Sequence, residues 1–597
     1  MGAEAIQTME TVLMFLVGLA FFLYGMNAMS SGLEKLAGGK MEKTLKKMTS
    51  NPLKAMGLGM GITAVIQSSS AMTVMLVGLV NSGIMALSQS IGVIMGSNIG
   101  TTVTAWILTL TGIESDPSNP MNFWITLCKP TTFSPILAII GIFMIMVSKK
   151  PKRRDIGGIM VAFAVLMYGM DFMGDAVKVV QKANPEIFTS MFAMLSNPLL
   201  GVLVGAIVTA VIQSSSASVG ILQTVAATGG MTYAMAIPII FGQNIGTCVT
   251  SLISSIGANK NAKRVVVVHF AFNLIGTTIF MVLYFLLYGV LNDVLFSQSI
   301  DQIGIATVHT VFNICTTVLL LPLSGLLEKL AKAVVREGAK ERPVGYLDER
   351  LLQTPSVAIV ESKRQIVKMA ELSRDTLFDA IGMMKDYDEK KAEAIIAGED
   401  AIDIYEDTIG SYLVKLSAAQ LSEHDAAEIS KLLLSIGDFE RLGDHALNIL
   451  HAAQEMKEKN LTFSDEAKRE LQSVTAAMNE IIRITVDSFD RSDLKLAAKV
   501  EPLEQVIDGL IATMNARHIE RLKAGKCTIE LGFILADVLN NCQRASDHCS
   551  NIAVCLIQTK RDAFETHSYL NKVKTSGQSG FVETFNHYAA TYVLPEE

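Results

Sequence analysis

The chain has 597 residues, half of them hydrophobic and 18% charged, with a formal net charge of −7. Length alone points to more than one domain, and the averages conceal two unlike halves, so the net charge says little. Seven scattered cysteines without a C-x-x-C pair argue against a zinc module or disulfide scaffold, and fit a reducing compartment for the soluble part.

The segment Met1 to Glu10 carries Glu4 and Glu10 but no Lys or Arg, so Thr11 to Met29 reads as a retained span rather than a cleaved signal. No Asp, Glu, Lys or Arg occurs from Ala55 to Ile113 or from Ile187 to Ala258. An apolar run of about 18 residues already reads as a membrane span. After Leu327 charges return every few residues. The predicted division is a membrane domain over 1–327, a charged linker over 328–355, a helical cytoplasmic domain over 356–565 and a tail over 566–597.

The membrane half repeats itself. A shift of 146 residues lays Asn51–Thr104 on Asn197–Thr250 without a gap, with 25 identities in 54 positions. T-A-V-I-Q-S-S-S-A recurs at 63 and 209, and G-x-N-I-G-T at 96 and 242. Upstream, Tyr-Gly-Met recurs at 24 and 168. Repeat one is placed at about 11–147, repeat two at about 157–290, and an extra span at about 303–327.

Loop charge sets the expected orientation, because Lys and Arg gather on the cytoplasmic side. The lysines from Lys35 to Lys54 place the first linker inside. The weaker, acid-offset Lys178 and Lys182 place its counterpart outside. The acidic loop 114–122 then falls outside, and the basic runs 149–154 and 260–264 inside. This threading works only for repeats of opposite topology, with the N-terminus outside and the last domain in the cytoplasm. Inverted repeats place a substrate site at their interface near the midplane. The threading also needs Pro52–Ser82 and Pro198–Gly230 to enter and leave on one side, as re-entrant hairpins with Q-S-S-S at the tip. Arms of about 14 residues reach only part way across a core of about 30 Å.

The second arms are expected to begin at about Ser69 and Ser215, aiming free amides and a positive dipole end at an anion. Ser68, Ser69, Ser70, Ser214, Ser215 and Ser216 add hydroxyl donors. Gln67 and Gln213, with carbonyls released by the first arms, suit a hard cation such as sodium. Asn98, Thr101, Asn244 and Thr247 join the substrate site from the second motif, whose glycines permit an unwound turn. The bland alternative is tight helix packing by small residues. Two triplets, each preceded by Gln at equivalent positions, favour the ligand reading. His269 with Asn273, and His309 with Asn313, share H-x-x-F-N spacing and read as interhelical hydrogen bonds or ion-pathway groups. Lys129 is either a counter-charge or an interfacial residue.

The doubled Q-S-S-S-A and G-x-N-I-G-T blocks resemble those of the type II sodium–phosphate cotransporters, over about residues 10 to 327. That resemblance implies inward phosphate transport driven by sodium. Eukaryotic members often have Thr after the triplet, where this chain has Ala71 and Ala217.

From about Ser356 the chain reads as amphipathic helices. Arg441, Asp444, His445, Asn448 and Ile449 recur 103 residues on as Arg544, Asp547, His548, Asn551 and Ile552. Two three-helix bundles are the simplest arrangement. G-D-F-E-R-L-G-D-H-A-L-N-I at 437–449 resembles the PhoU family of helical regulators of phosphate uptake. The resemblance implies a divalent or transition metal on Glu440 and Asp444, which share one helix face. Glu399, Asp403 and Asp407, and Glu504 with Asp508, could form facing rows. The alternative is a solvated face paired with Arg441 and Arg544. Gln543 stands where Glu440 stands in the first repeat, which weakens a second metal site.

The expected whole is an all-α polytopic protein of the cell membrane, with two inverted repeats and a six-helix cytoplasmic bundle. The resemblance leads one to expect phosphate import with sodium; no enzymatic activity is expected, because the sequence carries no catalytic constellation and no G-x-x-x-x-G-K-[ST] loop. A phosphate channel or exporter, and a membrane-anchored sensor, are the competing readings. Expected partners are phosphate, sodium and the bilayer, with no nucleic acid; a homodimer is left open.

Overall fold

A computed structural model describes residues 2–48, 51–83, 85–112, 130–336, 346–419, 421–558 and 579–595. Lys129, the loop 114–122 and the charged run 337–342 lie outside the described residues. Among the described residues the structure is helical without strands, with one isolated bridge between Thr232 and Ser299. The chain forms two compact units, Met1–Lys340 with Arg350–Ser356, and Glu341–Glu349 with Val357–Glu597.

Among the described residues, six helices of the first unit are long and apolar enough to cross a membrane. The first, α1 (Gly2–Met48), is followed by α2 (Pro52–Ile66), α3 (Ser69–Ser82) and α4 (Leu87–Leu108). Then come α5 (Pro130–Val147), α6 (Pro151–Ala183), the short α7 (Pro185–Leu195), α8 (Pro198–Ile212) and α9 (Ser215–Ala226). The unit continues with α10 (Tyr233–Gly246), α11 (Cys248–Ser254), α12 (Lys260–Leu291), α13 (Gln302–Leu320) and α14 (Ser324–Val334). Leu199, Leu203, Ile207 and Val211 recur every fourth residue along α8, all exposed. Such an apolar stripe suits lipid, not water.

Helix α1 packs closely on α6. Gly18 backs onto Gly169 and Met173, Gly25 onto Ala162 and Leu166, and Gly32 onto Ile159. Numbers rise along one helix as they fall along the other, so the two run antiparallel. Lys35 and Asp155 close the pair with an ion pair of 2.9 Å. Small residues are what let membrane helices approach this closely.

The same device joins α2 to α4 and α8 to α10. A Cβ on Gly96 would overlap the Met56 carbonyl, and one on Gly242 the Val202 carbonyl. Helix α4 continues unbroken through Gly96–Thr101, and α10 runs through Gly242 to Gly246. The expected unwound turn is therefore absent from repeat one, whereas in repeat two the helix is interrupted at Thr247, between α10 and α11; in both repeats the motif glycines serve close helix contact. Ala105 of α4, Val219 and Leu222 of α9, Ile240 of α10 and Ile305 of α13 share one buried cluster, which joins the two repeats. Arg264 of α12 is buried and donates to the Val335 carbonyl at 3.0 Å, capping the end of α14.

Among its described residues the second unit has six long helices: α15 (Pro355–Met383), α16 (Glu389–Ser417), α17 (Glu423–Glu458), α18 (Asp465–Arg491), α20 (Val500–Lys523) and α21 (Ile529–Gln558). The short α19 (Leu494–Ala497) links two of them, and α22 (Ser579–Thr591) follows. Its duplication is visible in one clasp between α17 and α21. His548 and Asn551 meet the Asp438 carboxylate at 2.9 and 3.5 Å. Their counterparts 103 positions earlier, His445 and Asn448, meet the Asn541 amide oxygen at 2.9 and 3.2 Å.

Candidate functional site: the paired hairpin tips

Each hairpin is written by local rules. Asn51 caps α2, accepting from the Leu53 amide at 2.9 Å, and Asn197 caps α8 from Leu199 at 3.0 Å. Pro52 and Pro198 follow at the first helical position, where proline costs no hydrogen bond. The arms end at Gln67 and Gln213, which adopt left-handed backbone at φ 61° and 58°. Their amides return to the Thr63 and Thr209 carbonyls at 2.7 Å each. Ser68 and Ser214 are extended, and their hydroxyls accept from the Ala71 and Ala217 amides at 3.2 Å each. The second arms then start at Ser69 and Ser215, as the sequence predicts.

Left-handed backbone favours glycine; a side chain there costs about 1 kcal/mol. The chain accepts that cost twice and places glutamine both times. Strain of this kind gathers at functional sites.

The two tips meet. Ser70 donates to the Gln213 carbonyl at 3.3 Å. Thr104 of α4 donates to Gln67 Oε1 at 2.8 Å, and Ser216 donates to Thr104 at 3.2 Å. Ser30 of α1 reaches the Gln67 carbonyl at 3.5 Å. Ser69, Ser215 and Ser216 are buried, while Ser68, Ser70 and Ser214 are half-buried. The released carbonyls thus carry hydroxyl donors.

Asn98, Thr101, Asn244 and Thr247 are buried but bond within their own helices. They donate to the carbonyls of Ile94, Ser97, Ile240 and Gln243 at 3.1, 3.0, 2.9 and 2.9 Å respectively. The α4 residue that reaches the tips is Thr104, which the sequence reading passed over. Its signal was present: Thr104 and its mate Thr250 close the duplicated block.

The repeats differ in how their polar atoms are satisfied. Thr63 donates to Ser97 at 2.9 Å, and Gln67 is buried on Thr104. The corresponding atoms of repeat two, Thr209 Oγ1, Gln243 Oε1 and Thr250 Oγ1, are buried without a hydrogen-bond partner among the described residues, and Gln213 is exposed. Buried polar atoms are normally paired, so three orphans within one repeat, on α8, α10 and α11, call for a ligand or water. Of the H-x-x-F-N pairs, His269 meets Ser251 at 3.2 Å and Asn273 meets Cys248 at 3.4 Å, both between helices. Among the described residues, His309 Nδ1 and Asn313 Oδ1 have no hydrogen-bond partner.

A family model for the Na+/Pi-cotransporter matches residues 21–175 and 177–310, one segment per repeat, and a PhoU domain model matches 366–453 and 472–556. The chain belongs to the Na+/Pi-cotransporter family. This cotransporter-family chain is 22% identical over 564 residues to YjbB of Escherichia coli, whose name proposes inorganic phosphate export. That match spans 92% of this chain and 98% of the relative. It is 39% identical over 100 residues to the sodium-dependent phosphate transport protein 2A of mouse, covering 16% of each chain. The crystal structure of PhoU from Pseudomonas aeruginosa matches 35% of this chain and 99% of its own length at 23% identity, with a TM-score of 0.33.

In the PhoU domain, Glu440 and Asp444 have a partner already. Arg441 sits 2.6 Å from Asp444 Oδ2 and 3.5 Å from Glu440 Oε2. Burial, then nearby carboxylates, pushes Glu440, Glu399, Asp403 and Glu406 above the ordinary carboxylate range. Among the described residues no three His, Cys, Asp or Glu groups are placed to hold a metal ion. The pair with its own arginine does not fit the metal expected of it. Gln543 donates to Asp508 at 2.9 Å, an ordinary hydrogen bond.

Proposed function

We propose that this protein imports inorganic phosphate by coupling it to sodium, with the ligands held where the two hairpin tips meet. The observation that carries the reading is the tip geometry. Two helix starts, at Ser69 and Ser215, and the side chains of Gln67, Ser70, Thr104 and Ser216 are drawn together by hydrogen bonds between the repeats, with Ser70 on the Gln213 carbonyl. Helix starts and hydroxyls suit an anion. Neutral donors also permit release, because no fixed cation must be left unpaired. The orphaned oxygens of Thr209, Gln243 and Thr250, beside the exposed Gln213, are hard neutral ligands of the kind sodium takes, and we place sodium there as substrate.

The antiparallel packing of α1 on α6 supports opposed repeats, because these two helices carry the matching Tyr-Gly-Met. Opposed repeats with broken helices suit alternating access about a fixed midplane site. The contrast between a buried Gln67 and an exposed Gln213 supports the same scheme, in which one half is closed while the other is open. We assign the C-terminal unit a cytoplasmic regulatory role from its PhoU domain.

Export is the second reading, favoured by the name of the Escherichia coli relative, which matches nearly the whole chain. One experiment separates the two: phosphate flux in proteoliposomes with sodium gradients imposed in each direction. Import predicts phosphate accumulation that follows inward sodium. Flux indifferent to sodium would remove the leading reading.

A further inference from the structure

The first hairpin carries a docking face that the second lacks. Gly78 of α3 falls on Thr224 of α9 in the repeat alignment. Thr224 is buried and bonds its own helix, donating to the Gly220 carbonyl at 2.9 Å. At Gly78 the missing side chain is replaced by Leu351. A Cβ there would overlap Leu351 Cδ2 and lie 3.1 Å from its Cγ. Leu351 lies in a short helical turn, Glu349–Gln353, of the charged linker, yet it is 0% exposed. Its neighbour Arg350 donates to the Ile256 carbonyl, just beyond α11, at 3.0 Å. One turn along α3, Asn81 accepts twice from Asn259: its side-chain oxygen from the Asn259 backbone amide and its backbone carbonyl from the Asn259 side-chain amide, at 2.9 Å each. Ala227, the counterpart of Asn81, has no side-chain amide oxygen to accept the first of these bonds.

We propose that Arg350 and Leu351 form a strap that seats on hairpin one and sets its mobility. Leu351 is a peg in the socket left by Gly78, and Arg350 clips the loop between α11 and α12. Seated, the strap holds α3 in the arrangement in which Gln67 lies buried on Thr104. The chain continues from the strap into α15 at Pro355, so the strap is the route by which the C-terminal unit acts on transport. This rests on the regulatory reading above, and the socket itself can be tested without it.

The test is the double variant Gly78→Cys with Leu351→Cys in the full chain, reconstituted in proteoliposomes. The 3.1 Å approach of Leu351 Cγ to the built Cβ places the two Cβ atoms near the separation of about 3.5–4.5 Å that a disulfide needs. Oxidation is expected to yield a linked peptide by mass spectrometry and to slow sodium-driven uptake at least about tenfold, with reductant restoring it. Leu351→Asp alone, whose charge cannot seat, should keep uptake running and lose its response to internal phosphate. Absence of the linked peptide in protein that transports would overturn the docking. A linked pair that transports at the unlinked rate would overturn the hold on the hairpin. A wild-type phosphate response in Leu351→Asp would overturn the route. A parent protein without sodium-driven uptake would instead remove the transport reading, and the linked peptide would still decide the docking.

Discussion

Replacing Gln67 or Gln213 by glycine and by alanine separates a turn residue from a ligand residue. Both glutamines sit at positive φ, 61° and 58°. Glycine relaxes that backbone by about 1 kcal/mol, whereas alanine keeps the strain. At Gln67 the gain is offset by loss of the Thr104 hydrogen bond, 2.8 Å long and buried at both ends. Losing such a bond costs about 1–3 kcal/mol. Thr104 keeps Ser216 at 3.2 Å, so the lower end applies. Gln67→Gly should therefore be nearly neutral in stability, and Gln67→Ala about 1 kcal/mol worse. Gln213 is exposed, so Gln213→Gly should stabilise the protein by up to about 1 kcal/mol. The assay pairs thermal unfolding in detergent with initial rates of sodium-driven phosphate uptake. All four variants should fold and lose uptake about tenfold or more, equivalent to about 1.4 kcal/mol, without tracking stability. If the glycine variants transport like the parent, the glutamines merely turn the chain and the ligand assignment is wrong.

Moving one charge through 100 mV is worth about 2.3 kcal/mol, so divalent phosphate entering a negative interior opposes about 4.6 kcal/mol. At least two sodium ions per phosphate are expected; a Hill coefficient near one, with uptake opposed by the membrane potential, would contradict this. Thr209→Val and Thr250→Val remove hydroxyls that have no partner. They should leave stability unchanged or raised and weaken sodium dependence, whereas Thr63→Val breaks the 2.9 Å bond to Ser97 and should cost about 1 kcal/mol. An unaltered sodium KM in both repeat-two variants would return those oxygens to packing. In the C-terminal unit, Asp403 lies above the ordinary carboxylate range through burial first, then Asp444 and its other acidic neighbours. A raised acid binds more protons folded than unfolded, so stability falls as pH rises through its folded pKa and recovers on acidification. Asp403→Asn should raise the melting temperature of that unit at neutral pH, with the difference shrinking as the medium is acidified; equal melting at neutral pH would refute it.

Local grammar made the hairpins legible. An Asn cap, a Pro at the first position and a Ser before the second arm each act within four residues, so the helix starts at Ser69 and Ser215 could be read directly. The role of Gly96 could not. A glycine permits either an unwound turn or a close neighbour, and only the position of the Met56 carbonyl decides between them. Thr104 was missed for a similar reason: its partners, Gln67 and Ser216, lie 37 and 112 residues away. At Glu440 and Asp444 the spacing put both acids on one face, but Arg441, also on that helix, reaches both carboxylates first. Repeat symmetry in sequence likewise hid the asymmetry that matters most. Identical Thr63 and Thr209, and identical Thr104 and Thr250, are satisfied in one repeat and orphaned in the other.

The regulatory half of the proposal is tested by shortening the chain at two points. A chain ending at Arg342 retains both segments matched by the cotransporter model, the last of which closes at residue 310. It also retains α14, which Arg264 caps through the Val335 carbonyl at 3.0 Å. It should therefore still insert and bind phosphate or sodium, with an altered rate or an altered response to internal phosphate. A chain ending at Ser356 additionally keeps Arg350 and Leu351. A difference between the two truncations then belongs to the strap, and a change shared by both belongs to the C-terminal unit. If the shorter chain folds yet binds neither ligand, the C-terminal half contributes to the site itself and the division of labour is wrong. If neither truncation changes transport at any internal phosphate level, the unit does not regulate this transporter, and the hairpin tips must account for its activity alone.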